Sequence, residues 1–121
     1  FVSLCAAGRV QFKATAGLHH PLRGQYRLSY DEQAETGTMN GFLNLTLATA
    51  FARFDLSEGD IRELLAEQSP AAFSFDEEGV QWRRHRLTTE QVELARRQIM
   101  TAFGSCSFEE PISDLQSLHF L

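Results

Sequence analysis

Lysine, threonine and two adjacent histidines surround the end of one short alternating segment early in the chain. Residues 12–21 read Phe-Lys-Ala-Thr-Ala-Gly-Leu-His-His-Pro, so that Lys13 and Thr15 alternate with apolar side chains. Such alternation predicts a strand, and functional side chains of α/β proteins often lie at the carboxyl end of a strand. We therefore expect a small polar substrate, a carbonyl compound or a phosphate, to bind here, with Lys13, His19 and His20 as the catalytic residues.

Each residue of this segment has a chemical and an ordinary structural interpretation. A desolvated Lys13 amine is a candidate imine-forming nucleophile or electrostatic clamp, whereas a lysine on an edge strand reaches water. His19 or His20 is a candidate general acid or base, whereas loop histidines also hydrogen-bond to the backbone. Thr15 and Gly17 are candidate substrate-binding residues, because glycine lets a ligand come close to the backbone.

Three further candidate substrate-binding residues follow this segment. Arg23 would clamp an anion through its guanidinium group, or would remain solvated. Asn40 is a natural N-cap for the apolar helix predicted after it. Asn44 lies one turn inside that helix, where a buried amide needs a hydrogen-bond partner. Either a substrate or a neighbouring loop would supply that partner.

A second polar cluster, Ser-Cys-Ser-Phe-Glu-Glu-Pro, occupies residues 105–111. Cys106 is a candidate nucleophile if a histidine comes close to it, although a cysteine is more often a small buried residue. Glu109 is a candidate substrate-binding residue in the same cluster. The histidine and cysteine spacings typical of metal sites do not occur, so neither a metal nor a cofactor is predicted.

Composition limits the class of protein. The chain has 121 residues, of which 43% are hydrophobic and 22% charged, and these values are typical of one globular domain. A net charge of −5 argues against non-specific binding to nucleic acid. The longest uncharged run, residues 36–52, is too short and too polar for a membrane span. Two distant cysteines and the lack of a signal-peptide pattern predict a cytoplasmic location.

Hydrophobic patterns predict an α/β or α+β fold with a β-hairpin and three to four helices. Helices are predicted for residues 41–54, 57–68, 88–103 and 110–118. Strands are predicted for residues 9–15 and 25–30 and for the hairpin arms, residues 73–75 and 80–82. Residues 31–38 are predicted to form a loop.

The first residues suggest that the chain continues a longer pattern. Residues 1–8 have the pattern of the last turns of a helix closed by Gly8. We therefore expect residues 1–121 to be either a single domain or the carboxyl-terminal fragment of a larger, barrel-like α/β protein. A homo-oligomer or a missing amino-terminal half would then cover unpaired strand edges.

A non-catalytic α+β binding or assembly module is the alternative to an enzyme. It requires an exposed apolar patch at Trp82 beside the arginine-rich residues 83–86, and a solvated Lys13. The enzyme hypothesis instead requires Lys13, His19 and His20 to face one concave pocket.

Two resemblances extend these expectations. Lys13-Ala14-Thr15-Ala16-Gly17-Leu18 resembles the lysine strand of barrel aldolases of the deoxyribose-phosphate type, whose pattern is lysine, any residue, serine or threonine, any residue, glycine and a bulky apolar residue. This resemblance implies an imine-forming Lys13 and lyase activity. The wider runs FKATAGLHHP, NGFLN, WRRHR and GSCSFEEP are similar to an uncharacterised conserved bacterial family, which implies that the chain is the carboxyl-terminal part of a longer protein.

Overall fold

The structure, a computed structural model, describes residues 1–15 and 17–121. Within these ranges the chain is a mixed α+β protein, which confirms the α+β alternative among the predicted fold classes. The helices are α1 (Val2–Gly8), α2 (Phe42–Arg53), α3 (Glu58–Ala66), α4 (Thr89–Gln98) and α5 (Glu109–Ser117). The strands are β1 (Phe12–Ala14), β2 (Gly24–Arg27), β3 (Thr36–Met39), β4 (Phe73–Asp76), β5 (Gly79–Trp82), β6 (His85–Thr88) and β7 (Met100–Phe103).

A parallel pair, β1 with β7, determines where the two polar clusters meet. The other strands form antiparallel sheets, β2 with β3, and β4, β5 and β6 in that order. In the parallel pair Phe12 lies opposite Met100, and Ala14 lies opposite Phe103. The amide of Gly104 donates to the carbonyl of Ala14 over 2.8 Å. Because parallel strands end at the same edge, the segments that follow β1 and β7 emerge side by side.

The core is centred on α2. This helix carries no charge before Arg53, and its side chains Leu47, Ala48, Ala50 and Phe51 are buried. It packs against α1, α3 and α4. Removal of apolar surface from water stabilises the fold by about 25 cal/mol per Å², so burial of these side chains holds α2 in the core.

The first turn of α2 anchors the histidine segment. The amide of Phe42 donates to the carbonyl of His20 over 3.0 Å, and the amide of Leu43 donates to the carbonyl of Pro21 over 2.9 Å. These bonds use amide groups that the start of a helix otherwise leaves without a backbone partner. The backbone at residues 20–21 is therefore attached directly to the core helix.

Trp82 lies in the core and not on the surface. Its side chain is fully buried, and its indole nitrogen donates to Glu67 over 3.2 Å. Arg83 also pairs with Glu67, and Arg86 pairs with Asp76. The expected exposed contact patch at Trp82 is therefore wrong, because β5 is the middle strand of its sheet and this side chain packs in the core.

The predicted helix starts are confirmed at two places and wrong at a third. Ser57 caps α3, and Thr88 with Gln91 forms a reciprocal capping box at the start of α4. Asn40 was the expected N-cap of α2, but Gly41 occupies that position. A Cβ atom at Gly41 would overlap neighbouring backbone atoms, so glycine permits the close contact between α2 and the histidine segment.

Three segments differ from their predicted structure. The helix predicted over residues 88–103 ends at Gln98, and the residues after Ile99 form β7 instead. The loop predicted over residues 31–38 includes most of β3. A third strand, β6, begins within the arginine-rich residues 83–86, at His85. In each case pairing with another strand overrides the local pattern, and β-propensity is known to depend strongly on such context.

Candidate active site

A cavity of about 340 Å³ is lined in part by the segments that follow β1 and β7. Three of the predicted site residues line it, His19, His20 and Cys106. The remaining lining residues are Tyr26, Arg27, Leu28, Ser29, Tyr30, Met39 and Glu110. The parallel pairing of β1 with β7 thus brings together the histidine segment and the cysteine cluster, which the sequence presents as two separate candidate sites.

Cys106 lies against the ring of His19. Its Sγ atom is 3.4 Å from His19 Nδ1 and 3.7 Å from Nε2. The cysteine is exposed, whereas only 19% of the His19 side chain is exposed. Ser105 Oγ is a second neighbour of Nδ1, at 3.3 Å. The condition set for a nucleophilic Cys106, a histidine close to the thiol, is met in this geometry.

A carboxylate completes the surroundings of His19. Glu110 Oε2 lies 3.3 Å from His19 Nδ1, yet this enclosed oxygen has no hydrogen bond within the described residues. The two side chains therefore lie close together without a directed hydrogen bond. The amide of Glu110 donates to Ser107 Oγ over 3.2 Å, which fixes the first turn of α5.

His20 forms a second histidine–carboxylate pair at the same cavity. Its Nδ1 atom is 2.7 Å from Asp114 Oδ2, and its ring stacks on Tyr26 with the centroids 3.5 Å apart. Tyr26 is itself fixed, because its hydroxyl donates to the carbonyl of Leu22 over 2.8 Å. Burial, and then the negative charge of Asp114, raise the pKa of Tyr26.

Tyr30 brings a phenol to the mouth of the cavity. Its hydroxyl oxygen lies 3.9 Å from Cys106 Sγ, although most of the side chain is exposed. The hydrogen bond with Cys106, followed by the charge of Glu110, raises the pKa of Tyr30. The phenol therefore stays protonated at neutral pH and is available as a hydrogen-bond donor.

Lys13 is not part of this arrangement. It is exposed on β1 opposite Ala102, and neither Lys13 nor Thr15, which is also exposed, lines the cavity. The expectation that a desolvated Lys13 faces both imidazoles is wrong. Phe12 and Ala14 are half-buried on one face of β1, and the side chain of Lys13 lies on the other, exposed face.

The predicted asparagine and arginine sites have structural partners instead. Asn44 is buried, accepts from the amide of Arg23 and donates to the carbonyls of Leu64 and Glu67, with each distance 2.8 Å. The guanidinium group of Arg23 donates to Asn40 over 3.1 Å. The amide of Arg23 and the carboxyl-terminal end of α3, not a substrate, therefore satisfy Asn44. None of the three residues lines the cavity.

The predicted site residues Gly17 and Glu109 also lie outside the cavity. Gly17 has φ of 75°, a left-handed conformation that favours glycine, but it does not line the cavity. Glu109 is exposed on the outer side of α5, and its neighbour Glu110 faces His19. The sequence contains a signal for the position of Glu110, because Ser107 and Glu110 have the Ser-x-x-Glu spacing of a helix start. Asp114, one turn further along α5, then falls on the same face.

Neither a metal centre nor a membrane span is found in residues 1–15 and 17–121. No three or more histidine, cysteine, aspartate or glutamate residues are arranged to hold a metal ion there. The helices described are all too short or too polar to cross a membrane.

Comparison with other proteins assigns the chain to no family. No protein-family model, curated protein or solved structure matches the chain. The resemblances to barrel aldolases and to a conserved bacterial family therefore stay predictions, and any functional argument depends on the site itself.

Proposed function

We propose that the protein is a thiol-dependent enzyme in which Cys106 attacks the carbonyl carbon of a small polar substrate and His19 accepts the thiol proton. The observation that carries this proposal is the distance of 3.4 Å between Cys106 Sγ and His19 Nδ1. The thiolate is the nucleophilic form of cysteine, and an adjacent imidazole is a common base for forming it. The thiol is exposed, so that a substrate can reach it.

Acylation of Cys106 requires two proton transfers through His19. His19 takes the proton from Sγ while the sulfur bonds to the carbonyl carbon. It then gives that proton to the leaving group as the bond between the carbonyl carbon and the leaving group breaks. The carboxylate of Glu110, 3.3 Å from Nδ1, stabilises the imidazolium that exists between the two transfers. The products are an acyl-cysteine and a protonated leaving group.

The cavity favours a small substrate that carries polar groups. Its volume of about 340 Å³ is near the lower limit of ligand pockets, roughly 300–1,000 Å³. Ser29 and Tyr30 supply hydroxyl groups, and Arg27 supplies a positive charge suited to a carboxylate or phosphate. Lys13 has no part in this proposal, so that imine and lyase chemistry are not included in it.

A reducing, cytoplasmic setting fits this chemistry. Both Cys5 and Cys106 are free thiols, with Cys5 buried in α1. Thiols persist in the reducing cytoplasm, whereas oxidising compartments favour disulfides.

One observation favours the alternative, a non-catalytic binding module. Phe108, Ile112 and Leu121 are exposed beside an apolar groove of about 1290 Å³ between α5 and β7. Exposed apolar patches often mark contact with a partner. If the protein is such a module, Cys106 forms no covalent bond with a substrate. The following experiment separates the two functions.

Acylation is tested with p-nitrophenyl acetate and intact-protein mass spectrometry. We expect one acetyl group on Cys106 in the wild type and in Cys5→Ala, and none in Cys106→Ala. Because a positioned base contributes about 10²- to 10⁴-fold, His19→Gln is expected to slow acetylation by at least about 100-fold. Acetylation that persists in Cys106→Ala, or that proceeds equally fast in His19→Gln, would refute the proposal.

A further inference from the structure

We infer that His20, held by Asp114, is a second acid–base residue that activates water to hydrolyse the acyl-cysteine, which makes the protein a hydrolase. This inference rests on the proposed function and specifies its second half, in which water is the acceptor of the acyl group. His20 lines the same cavity as Cys106 and His19, and the centroids of the two imidazole rings are 6.5 Å apart.

The ring of His20 is fixed from several directions. Asp114 Oδ2 lies 2.7 Å from Nδ1, Tyr26 stacks on one face with an interplanar angle of 8°, and only 13% of the side chain is exposed. The His20 carbonyl accepts from the amide of Phe42 at the start of α2. Catalytic groups work best when their surroundings already hold them in the reacting orientation.

The bond to Asp114 also determines which ring nitrogen is free to react. A carboxylate only accepts hydrogen bonds, so that neutral His20 must carry its proton on Nδ1. The lone pair is then on Nε2, which has no hydrogen bond within residues 1–15 and 17–121. In this arrangement the carboxylate orients the imidazole and stabilises its protonated form, while Nε2 accepts a proton from water.

Deacylation consumes one water molecule and needs no other reactant. Water attacks the carbonyl carbon of the acyl-cysteine, and His20 Nε2 takes one proton from that water. The carbon–sulfur bond then breaks, and the proton returns to the departing sulfur of Cys106. A carboxylic acid leaves the cavity, and both the thiol and neutral His20 are restored.

The test separates the two half-reactions with p-nitrophenyl acetate as the probe. In His20→Gln and Asp114→Asn we expect the initial burst from acylation of Cys106 to keep its amplitude. Steady-state hydrolysis is expected to fall by about 100-fold in His20→Gln, the lower limit for a positioned base, and by about 10-fold in Asp114→Asn.

Asp55→Asn is the matched control, because it makes the same chemical change at an exposed, left-handed position after α2 that asparagine tolerates. Normal burst and normal turnover in both cavity variants would overturn the inference and leave the proposed function intact. A wild type without a burst would overturn both. Should a variant not fold, the wild-type acetyl-enzyme still decides: hydrolysis no faster than that of S-acetyl-N-acetylcysteine would overturn the inference.

Discussion

Three polar atoms surround one nitrogen of His19. Ser105 Oγ and Glu110 Oε2 lie 3.3 Å from Nδ1, and Cys106 Sγ lies 3.4 Å from it. A ring nitrogen forms one strong hydrogen bond at a time, so that these neighbours cannot all be bonded together. Serine and cysteine can compete for that bond, whereas Glu110 acts through its charge. We therefore assign Glu110 the role of stabilising the imidazolium.

Two adjacent glutamates allow a direct test of this assignment. Glu110→Gln removes the negative charge beside His19 and is expected to slow acetylation of Cys106 about 10-fold, a loss of roughly 1.4 kcal/mol. Glu109→Gln makes the same change on the exposed side of α5 and is expected to alter the rate less than about 2-fold. The rates are measured by mass spectrometry with p-nitrophenyl acetate. Equal effects of the two substitutions would contradict the assignment.

Residue types alone predicted part of this site. His19, His20 and Cys106 could be predicted as site residues because few other side chains move protons or form covalent bonds near neutral pH. Their pairing could not be predicted, since it depends on a parallel strand pair between distant segments. A catalytic role for Lys13 was predicted for the same reason, but alternation along a strand does not show which of its two faces is buried.

At the scale of secondary-structure elements, Glu67 connects the end of α3 to the three-stranded sheet. Its carboxylate accepts from Trp82 Nε1 over 3.2 Å and from Arg83 Nε over 3.1 Å, and its side chain is only 10% exposed. Burial raises the pKa of Glu67, but hydrogen bonds from the Ser69 backbone, Arg83 and Trp82 outweigh it and lower this pKa below its usual value.

This lowered pKa predicts the pH dependence of folding stability. Since the folded-state pKa lies below the unfolded-state value of about 4.3, the stabilisation is fully present above that value and is lost as the pH falls through the folded-state pKa. Glu67→Gln is expected to reduce the free energy of unfolding at neutral pH by about 1–2 kcal/mol and to weaken its decline in acid. Urea unfolding at several pH values measures both effects.

Glu63→Gln is the control for this prediction, because Glu63 also pairs with Arg83 but is largely exposed. An exposed ion pair contributes about 0–1 kcal/mol, so that this variant should remain close to the wild type. An acid dependence that is identical in the wild type and in Glu67→Gln would show that Glu67 does not stabilise the fold as described.

Elements with strong local signals could be predicted, and those that depend on pairing could not. The capping residues Ser57 and Thr88 set the starts of α3 and α4 through bonds within one turn, which the sequence displays directly. Phe103 has helical spacing relative to Ile99, yet it lies in β7 and stacks on Phe42 with the centroids 4.6 Å apart. The same apolar spacing thus suits a strand as well as a helix.

At the scale of the whole molecule, the candidate site exists only because the chain is folded. His19 and Cys106 are 87 residues apart in the sequence, and His20 and Asp114 are 94 residues apart. The β1–β7 pair brings the first two together, and the start of α5 adds Glu110. We therefore expect the reactivity of Cys106 to depend on the fold as well as on His19.

The most direct test is the rate at which iodoacetamide alkylates Cys106 at neutral pH, followed by peptide mass spectrometry, with the buried Cys5 as a check that the protein stays folded. If His19 activates the thiol, Cys106 should react at least about 10-fold faster in the folded wild type than in folded His19→Gln. In concentrated urea, where residues 87 apart are no longer held together, the two proteins should react at the same rate. Equal rates for Cys106 in the two folded proteins would contradict the account.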